Sequence, residues 1–569
     1  MVAQARAPSF VELFTPKLVT ILRERYGLRE LRADAVAGLT VAIVALPLSM
    51  AIAIASGVTP DRGLYTAIVG GFVVSALGGC RFQIGGPAGA FIVLVAATVA
   101  QYGLDGLILA TMLSGFILLA AGFLRLGTFV KYIPYPVTVG FTSGIAVIIF
   151  ASQLKDLLGL TLAGKEPGGL IAKLQALGQA IPSINISAVA VALFSIGAII
   201  VIRRYRPHWP ALLIAVGAAA AAATILGLPV ETIGSRFGGI PRSLPAPHLP
   251  ALSLDKLRAV LPAALSFALL GSIESLLSAV VADSMTGRRH RSNAELVAQG
   301  AANIASSLFG GICVTGAIAR TATNIRAGAR GPVAGMLHSL FLLLFMLVAA
   351  PLASYIPLAA LAAVLAIVAW NMAEKREFAT LIRASRGDAL VLLATFLLVV
   401  FRDLTEGILV GFGLGTLLFL HRIAQAVAVE SPTRIEGDAA DFPADGGRSP
   451  YDRDLAMDRD IIVYRISGAF FFGAAAAVSA ALDRIGEQPK AYVIDFSAVQ
   501  MIDSTAAATI EGFARKAHRQ GAALYISGAT PPIRRSLLAH GVRPPHARFR
   551  TKLSDAVATA RRSLNGTPG

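Results

Sequence analysis

Four short stretches carry residues that lipid-facing packing does not require. The first is Leu46-Pro47-Leu48-Ser49-Met50-Ala51, a proline inside an uninterrupted apolar run. Proline removes a backbone donor and frees a carbonyl, and such groups survive at membrane depth only within protein or against water. The second is Gly85-Gly86-Pro87-Ala88-Gly89-Ala90-Phe91, which opens another apolar run. It predicts a half-helix that begins inside the membrane, with Gly86, Pro87 and Gly89 framing an end whose N–H groups and dipole attract anions. The third, Thr315-Gly316-Ala317-Ile318-Ala319-Arg320-Thr321, follows Gly310-Gly311 and repeats that design. Arg320 adds a fixed positive charge with a planar fork suited to oxyanions. The plainer reading of Arg320 is a cytoplasmic arginine at a helix end. The fourth is Glu274, in Gly271-Ser272-Ile273-Glu274-Ser275-Leu276-Leu277-Ser278. A carboxylate near mid-span is expensive, which makes it a candidate for exchanging a coupling proton, with Ser278 one turn further on the same face. A structural carboxylate, paired to Arg320 or hydrogen-bonded within the bundle, and a sodium ligand are the alternatives.

These stretches need a membrane around them, and the composition supplies one. The 569 residues are 55% hydrophobic and 15% charged, with a mean hydropathy of +0.70. Soluble domains carry roughly a quarter charged residues. An ordinary soluble enzyme, a disordered chain and a collagen-like chain are excluded, and two cysteines exclude a disulfide scaffold. Uncharged runs cover 35–60, 63–80, 82–104, 106–124, 132–154, 174–202, 207–230 and 296–319, and 259–282 is broken only by Glu274. The run 331–373 is too long for one span, and Pro351 and Pro357 divide it. Gly310-Gly311 splits 296–319 into a span and the start of a shorter element. With 389–401 and 407–421 the count is 14 segments. The net charge of +17 then reflects positively charged inner loops rather than nucleic-acid binding, and both termini fall in the cytoplasm of a plasma (inner) membrane protein. The offsets from Ala90 to Arg320 and from Pro47 to Glu274 are nearly equal, which suggests two halves of seven segments each.

Residues 1–33 read as an amphipathic cytoplasmic segment, with Phe10, Leu13, Phe14, Leu18 and Leu22 at helical spacing, and not as a signal peptide. Residues 34–426 form the transport domain, 427–460 an acidic linker, and 461–565 a cytoplasmic domain of alternating strands and helices with βαβ connections. No metal-ligand spacing, Walker motif or catalytic constellation is present, so neither a cofactor nor an enzyme is expected. The glycosylation patterns Asn185-Ile-Ser187 and Asn565-Gly-Thr567 are short enough to be coincidence.

In order, Leu46-Pro47 with Met50-Ala51, Gly86-Pro87, Glu274-Ser275 and Gly316 to Arg320 resemble the sulfate permease (SulP) family of anion transporters. The C-terminal domain resembles a STAS domain. The resemblance implies a polytopic helical fold of seven plus seven inverted segments in core and gate bundles, and an elevator-like movement of one against the other. It implies an anion site built by Leu48, Ile52, Ala88, Ala319 and Arg320, joined by Thr321, with Glu274 where a coupling carboxylate stands. The expected cargo is a small anion, first sulfate, then bicarbonate or a C4-dicarboxylate, moved with a proton or sodium; a passive exchanger or channel is the rival. The resemblance further implies a homodimer in lipid and a STAS domain open to a cytoplasmic protein partner. Met501-Ile-Asp503-Ser504-Thr505-Ala506-Ala507 matches the loop whose second hydroxyl is phosphorylated in anti-sigma antagonists, here Thr505 beside Ser504. The alternative is a plain helix cap at Asp503 or Ser504.

Overall fold

In the computed structural model, residues 10–24, 26–128, 134–164, 167, 169–206, 209–250, 253–402, 404–430, 460–483 and 489–564 are described. Most of the acidic linker, the first nine residues and Asn565-Gly-Thr567 therefore lie outside the described residues. The chain divides into two compact units, 1–413 and 414–569.

The first unit is helical. Among the described residues, eight helices are long and apolar enough to cross a membrane. Shorter ones complete the set. The first half runs through Leu28–Ala55, residues 60–77, Ile92–Phe123, Tyr135–Leu158, Ile186–Tyr205 and Ala211–Ile225. Ile92–Phe123 is two segments in one, because Gly103 (φ 69°) breaks its helical geometry beside Asp105, where the uncharged runs also part. The second half runs through Leu254–Thr286, Ser292–Leu308, Ile318–Arg326, Val333–Ala353, Leu358–Met372, Arg386–Phe401 and Leu404–Gln425. Seven segments thus stand in each half. Pro357 caps Leu358–Met372, and the glycines at 310–311 separate Ser292–Leu308 from the next element, as expected; Pro351, expected to flank the turn with Pro357, instead lies inside the last turn of Val333–Ala353.

Packing sorts these helices into two bundles. Leu28–Ala55 packs on Val333–Ala353, and Ile92–Phe123 packs on Leu254–Thr286 and Ser292–Leu308. Separately, Tyr135–Leu158 packs on Leu358–Met372 and Arg386–Phe401, while Ile186–Tyr205 packs on Ala211–Ile225 and Leu358–Met372. The first bundle holds nearly all the buried polar side chains. Among the described residues, the second buries only Ser143, Ser195, Gln153 and Thr395 on its spanning helices. A polar group out of water costs free energy unless it is hydrogen-bonded, so the first bundle is where such cost is tolerated and function is to be sought.

Two helices precede the first span, Phe10–Phe14 and Lys17–Arg23. They are not one continuous helix, because Pro16 intervenes. Lys17 N–H donates to the Gly78 carbonyl (2.9 Å), and Arg291 Nη1 donates to the Thr15 carbonyl (2.8 Å).

The second unit contains a five-stranded sheet, β3 (Ala428–Glu430), β4 (Ile461–Phe470), β5 (Ala491–Ile502), β6 (Ala523–Ser527) and β7 (Arg548–Arg550), in that spatial order. β3 is antiparallel to β4 and the remaining pairs are parallel. Parallel neighbours require crossovers, which the helices Phe472–Asp483, Ser504–Arg519 and Pro531–Ala539 supply. Asp503 Oδ1 accepts the Ala506 N–H (2.9 Å), so it caps Ser504–Arg519, while Ser504 and Thr505 stand exposed at its first turn.

Candidate functional site

Two very short strands cross in the first bundle. β1 (Gly85–Gly86) pairs antiparallel with β2 (Thr315–Gly316), Gly85 opposite Gly316 and Gly86 opposite Thr315. Each leads into a helix start. After β1 the extended Ala88 precedes a 3₁₀ turn, Gly89–Phe91, and then Ile92–Phe123. After β2 the extended Ala317 precedes Ile318–Arg326. The first N–H groups of a helix have no partner within it. Neither Ala88 nor Ala317 places a side-chain cap on them. Two positive helix ends thus start from one crossing, and the antiparallel pairing is what inversion of one half relative to the other requires.

Arg320 lies one turn into its helix and is 2% exposed. Its Nη2 donates to the Pro87 carbonyl (3.1 Å) and to Ser49 Oγ (3.2 Å). Nε and Nη1 are buried without a partner. This is not an arginine at an exposed helix end. Gly86 makes the approach possible, since a Cβ there would lie 2.2 Å from Nη1. Gly316 is equally constrained, because its Cβ would collide with Gln83, whose Nε2 donates to Ser275 Oγ (2.8 Å).

The other residues singled out in the sequence differ in burial and partners. Leu48 and Ile52, on the Pro47 turn, are buried, as are Pro87 and Ala88; Gly89 is half-buried and Ala319 exposed. Thr321 Oγ1 accepts the Ile84 N–H (3.2 Å) and shares a hydrogen bond with Ser278 Oγ (3.0 Å). Ser278 is therefore brought to Thr321. Glu274 is half-buried. Its Oε2 is covered and has no partner, and no ion pair joins it to Arg320 among the described residues. The alternative that paired these two is thereby removed.

Several supporting residues escaped the sequence reading. Asn303 clamps Val314 from both sides, accepting its N–H (3.0 Å) and donating to its carbonyl (2.9 Å). Thr66, in a π-helical turn at Thr66–Gly70, accepts the Ile312 N–H (2.7 Å). Asn324 donates to the Phe82 carbonyl (2.9 Å). Asp34 accepts the N–H groups of Arg330 (2.5 Å) and Gly331 (3.1 Å), and Glu295 accepts that of Cys80 (2.9 Å). His338, on Val333–Ala353, is wholly buried with both ring nitrogens unpartnered. A histidine inside an apolar run was the one available signal for it.

The sequence pattern of the sulfate permease family matches residues 31–395, and that of the STAS domain matches 453–559. The chain belongs to the sulfate permease family. It is a multi-pass membrane protein, an anion transporter of that family carrying a STAS domain. It is 40% identical over 88% of its length to a Bacillus subtilis protein provisionally named sulfate transporter YvdB, covering 92% of that protein. It is 33% identical to the bicarbonate transporter BicA of Synechocystis, with 90% of each chain covered. In fold it matches the murine solute carrier 26 family member A9 anion transporter, with a TM-score of 0.84 at 19% identity, covering 98% of this chain and 96% of that one.

Proposed function

We propose that this transporter takes up sulfate together with a proton, binding the anion where the two half-helices begin. The observation that carries the reading is the buried Arg320 fork, with Nε and Nη1 unpartnered between two uncapped helix starts. An arginine contributes one positive charge and each helix end roughly half of one. Together they balance a dianion, which favours sulfate over a monoanion. Leu48, Ile52 and Ala88 offer no polar side chain, so recognition falls to Arg320, Thr321 and the N–H groups of Gly89, Ala90 and Ala319.

Glu274 supplies the coupling proton in this reading, since its covered Oε2 has no fixed donor. Protonated, it presents no charge to the bundle as the anion crosses. The polar first bundle would move as a body against the apolar second one, in an elevator-like cycle. An inner-membrane location, cytoplasmic termini, a homodimer and a protein partner for the STAS domain complete the proposal. The relation to BicA keeps bicarbonate as the second reading, with sodium or a proton as its coupling ion.

The test is uptake of labelled sulfate, bicarbonate and fumarate into proteoliposomes under a proton gradient, a sodium gradient or neither. Sulfate accumulation driven by protons and abolished in Glu274→Gln is the expected result. Bicarbonate accumulation driven by either gradient would establish the second reading. Equilibration without accumulation would overturn coupled transport altogether.

A further inference from the structure

A cavity of about 660 Å³ lies between the two bundles, away from Arg320. Leu46 and Met50 form one wall, Val216 and Ala220 the second, and Met346 and Ala349 the third. It runs from the Pro47 turn at mid-span to the helix ends near Ile225 and Ala353. No lysine, arginine, histidine or carboxylate lines it, which excludes the transported anion as its occupant. At one end the lining residues Ile225 and Leu352 are 82% and 70% exposed. Leu352 belongs to a helix long and apolar enough to cross a membrane, and Ile225 ends a shorter apolar helix beside it, so in a multi-pass protein this end of the cavity is the one that lipid can reach. Tyr355, also on the rim, is of the type that settles at the membrane–water boundary. The opening therefore lies at the depth where a lipid headgroup meets its acyl chains.

We propose that this cavity is a binding site for one acyl chain of a membrane phospholipid, and that the bound chain sets the rate of transport. An apolar space lined along three helices that opens at headgroup depth matches a tethered hydrocarbon tail. Apolar burial is non-directional and grows with area, so a chain lying against three helices is held more firmly than annular lipid on a flat helix face. The consequence for transport follows from the shared turn. Leu46 and Met50 lie four residues apart and face the cavity together. Ser49, on the same turn, accepts from Arg320. A chain in the cavity presses on the turn that holds the arginine, and it separates the bundle carrying that turn from the helix Ala211–Ile225.

The test uses the full chain in liposomes containing phosphatidylethanolamine with a diazirine midway along one acyl chain. After photolysis, labelled peptides are mapped. Labelling concentrated on 213–225 and 345–353, above that of the exposed apolar stretch 193–201, is the expected result. Gly217→Leu then fills the cavity with protein; a Cβ at Gly217 meets nothing within 4 Å, so the fold tolerates it. Cavity labelling should fall about tenfold, as for a loss of roughly 1.4 kcal/mol of binding, with 193–201 unchanged. Ala349→Leu repeats the test from the opposite wall. Turnover in both variants should change severalfold at constant KM. Labelling no stronger in the cavity than on 193–201, or insensitive to both variants, overturns the site. Loss of labelling with unchanged turnover overturns its control of rate.

Discussion

Gly86→Ala is the sharpest probe of the arginine. The added Cβ would stand 2.2 Å from Arg320 Nη1, with the Ala67 Cα 3.7 Å away on another side. Favourable carbon contacts lie near 3.5 Å, so the guanidinium has to withdraw by about 1 Å. Withdrawal stretches both Nη2 hydrogen bonds, to the Pro87 carbonyl and Ser49 Oγ, at 3.1 and 3.2 Å. Hydrogen bonds to a charged group contribute about 1.5–3 kcal/mol each, and an error of about 1 Å in placing a binding group costs up to roughly 100-fold. The KM for the anion in proteoliposomes should therefore rise by about 10- to 100-fold, since each tenfold is roughly 1.4 kcal/mol. Gly89→Ala is the matched control. Its Cβ would meet Ile149 Cδ1 at 3.4 Å and Met372 Sδ at 3.5 Å, the mobile tips of flexible side chains. That variant should transport nearly as the parent does. A Gly86→Ala protein that melts normally and keeps its KM within roughly twofold would refute the placement of Arg320 in the anion site.

Glu274→Gln should keep exchange of labelled for unlabelled anion while losing proton-driven accumulation; accumulation that survives would remove Glu274 from coupling. Asn303→Ala leaves both backbone groups of Val314 unpaired, so thermal melting should report a loss of about 2–4 kcal/mol together with a raised KM. In the STAS domain, Asp495 accepts from Ser497 and Ser527 and pairs with Arg465. Asp495→Ala should destabilise that domain by about 3 kcal/mol, read in the full chain by urea-dependent proteolysis. Asp503→Ala should cost it about 1 kcal/mol through the lost cap, whereas Thr505→Ala should leave its stability nearly unchanged.

The segment pattern was legible because the bilayer imposes one simple requirement on every span, about 20 residues without charge. Pro357 and Gly310-Gly311 could be read as boundaries for a related reason: Pro357 starts a helix and Gly310, at positive φ, follows the end of one, each by its own backbone chemistry. The scaffold around the site was hidden by the same rule. Asp34 and Glu295 stand at the edges of uncharged runs and so read as loop residues at the membrane surface. In the structure both are wholly buried and receive backbone N–H groups from distant loops. One sequence does not separate a carboxylate in water from one held by N–H donors, because the donors belong to segments some 200 or more residues away. Asn303 and Asn324 were hidden likewise, since the carbonyls they bind have no sequence signature. Arg320 could be singled out as a candidate because a fixed charge after a glycine break has few structural uses inside a membrane, and the structure buries it.

The two buried carboxylates bear on how the first bundle behaves as a body. Asp34 belongs to the first half and holds the backbone at Arg330 and Gly331 in the second. Glu295 belongs to the second half and holds Cys80 in the first. Arg62 donates to the Gly310 carbonyl (2.6 Å), Thr66 receives Ile312, and Asn324 reaches Phe82, each across the same division. The crossing of β1 and β2 is thus one of several ties between the halves. The ties of Asp34 to Gly331, Glu295 to Cys80, Thr66 to Ile312 and Asn324 to Phe82 are buried hydrogen bonds, and losing any of them leaves a group unsatisfied at about 1–3 kcal/mol apiece. Sliding one half against the other would break several of them together. The two bundles, by contrast, meet largely through apolar side chains where Leu28–Ala55 packs on Leu358–Met372 and Ala211–Ile225, with Ser266 and Thr405 sharing one hydrogen bond (2.8 Å) elsewhere between them. Apolar contacts are non-directional and can re-form after displacement without leaving a polar group unpaired. In the elevator-like cycle proposed above, these ties predict that the first bundle moves as one body, and that Arg320 and both helix starts travel together with it.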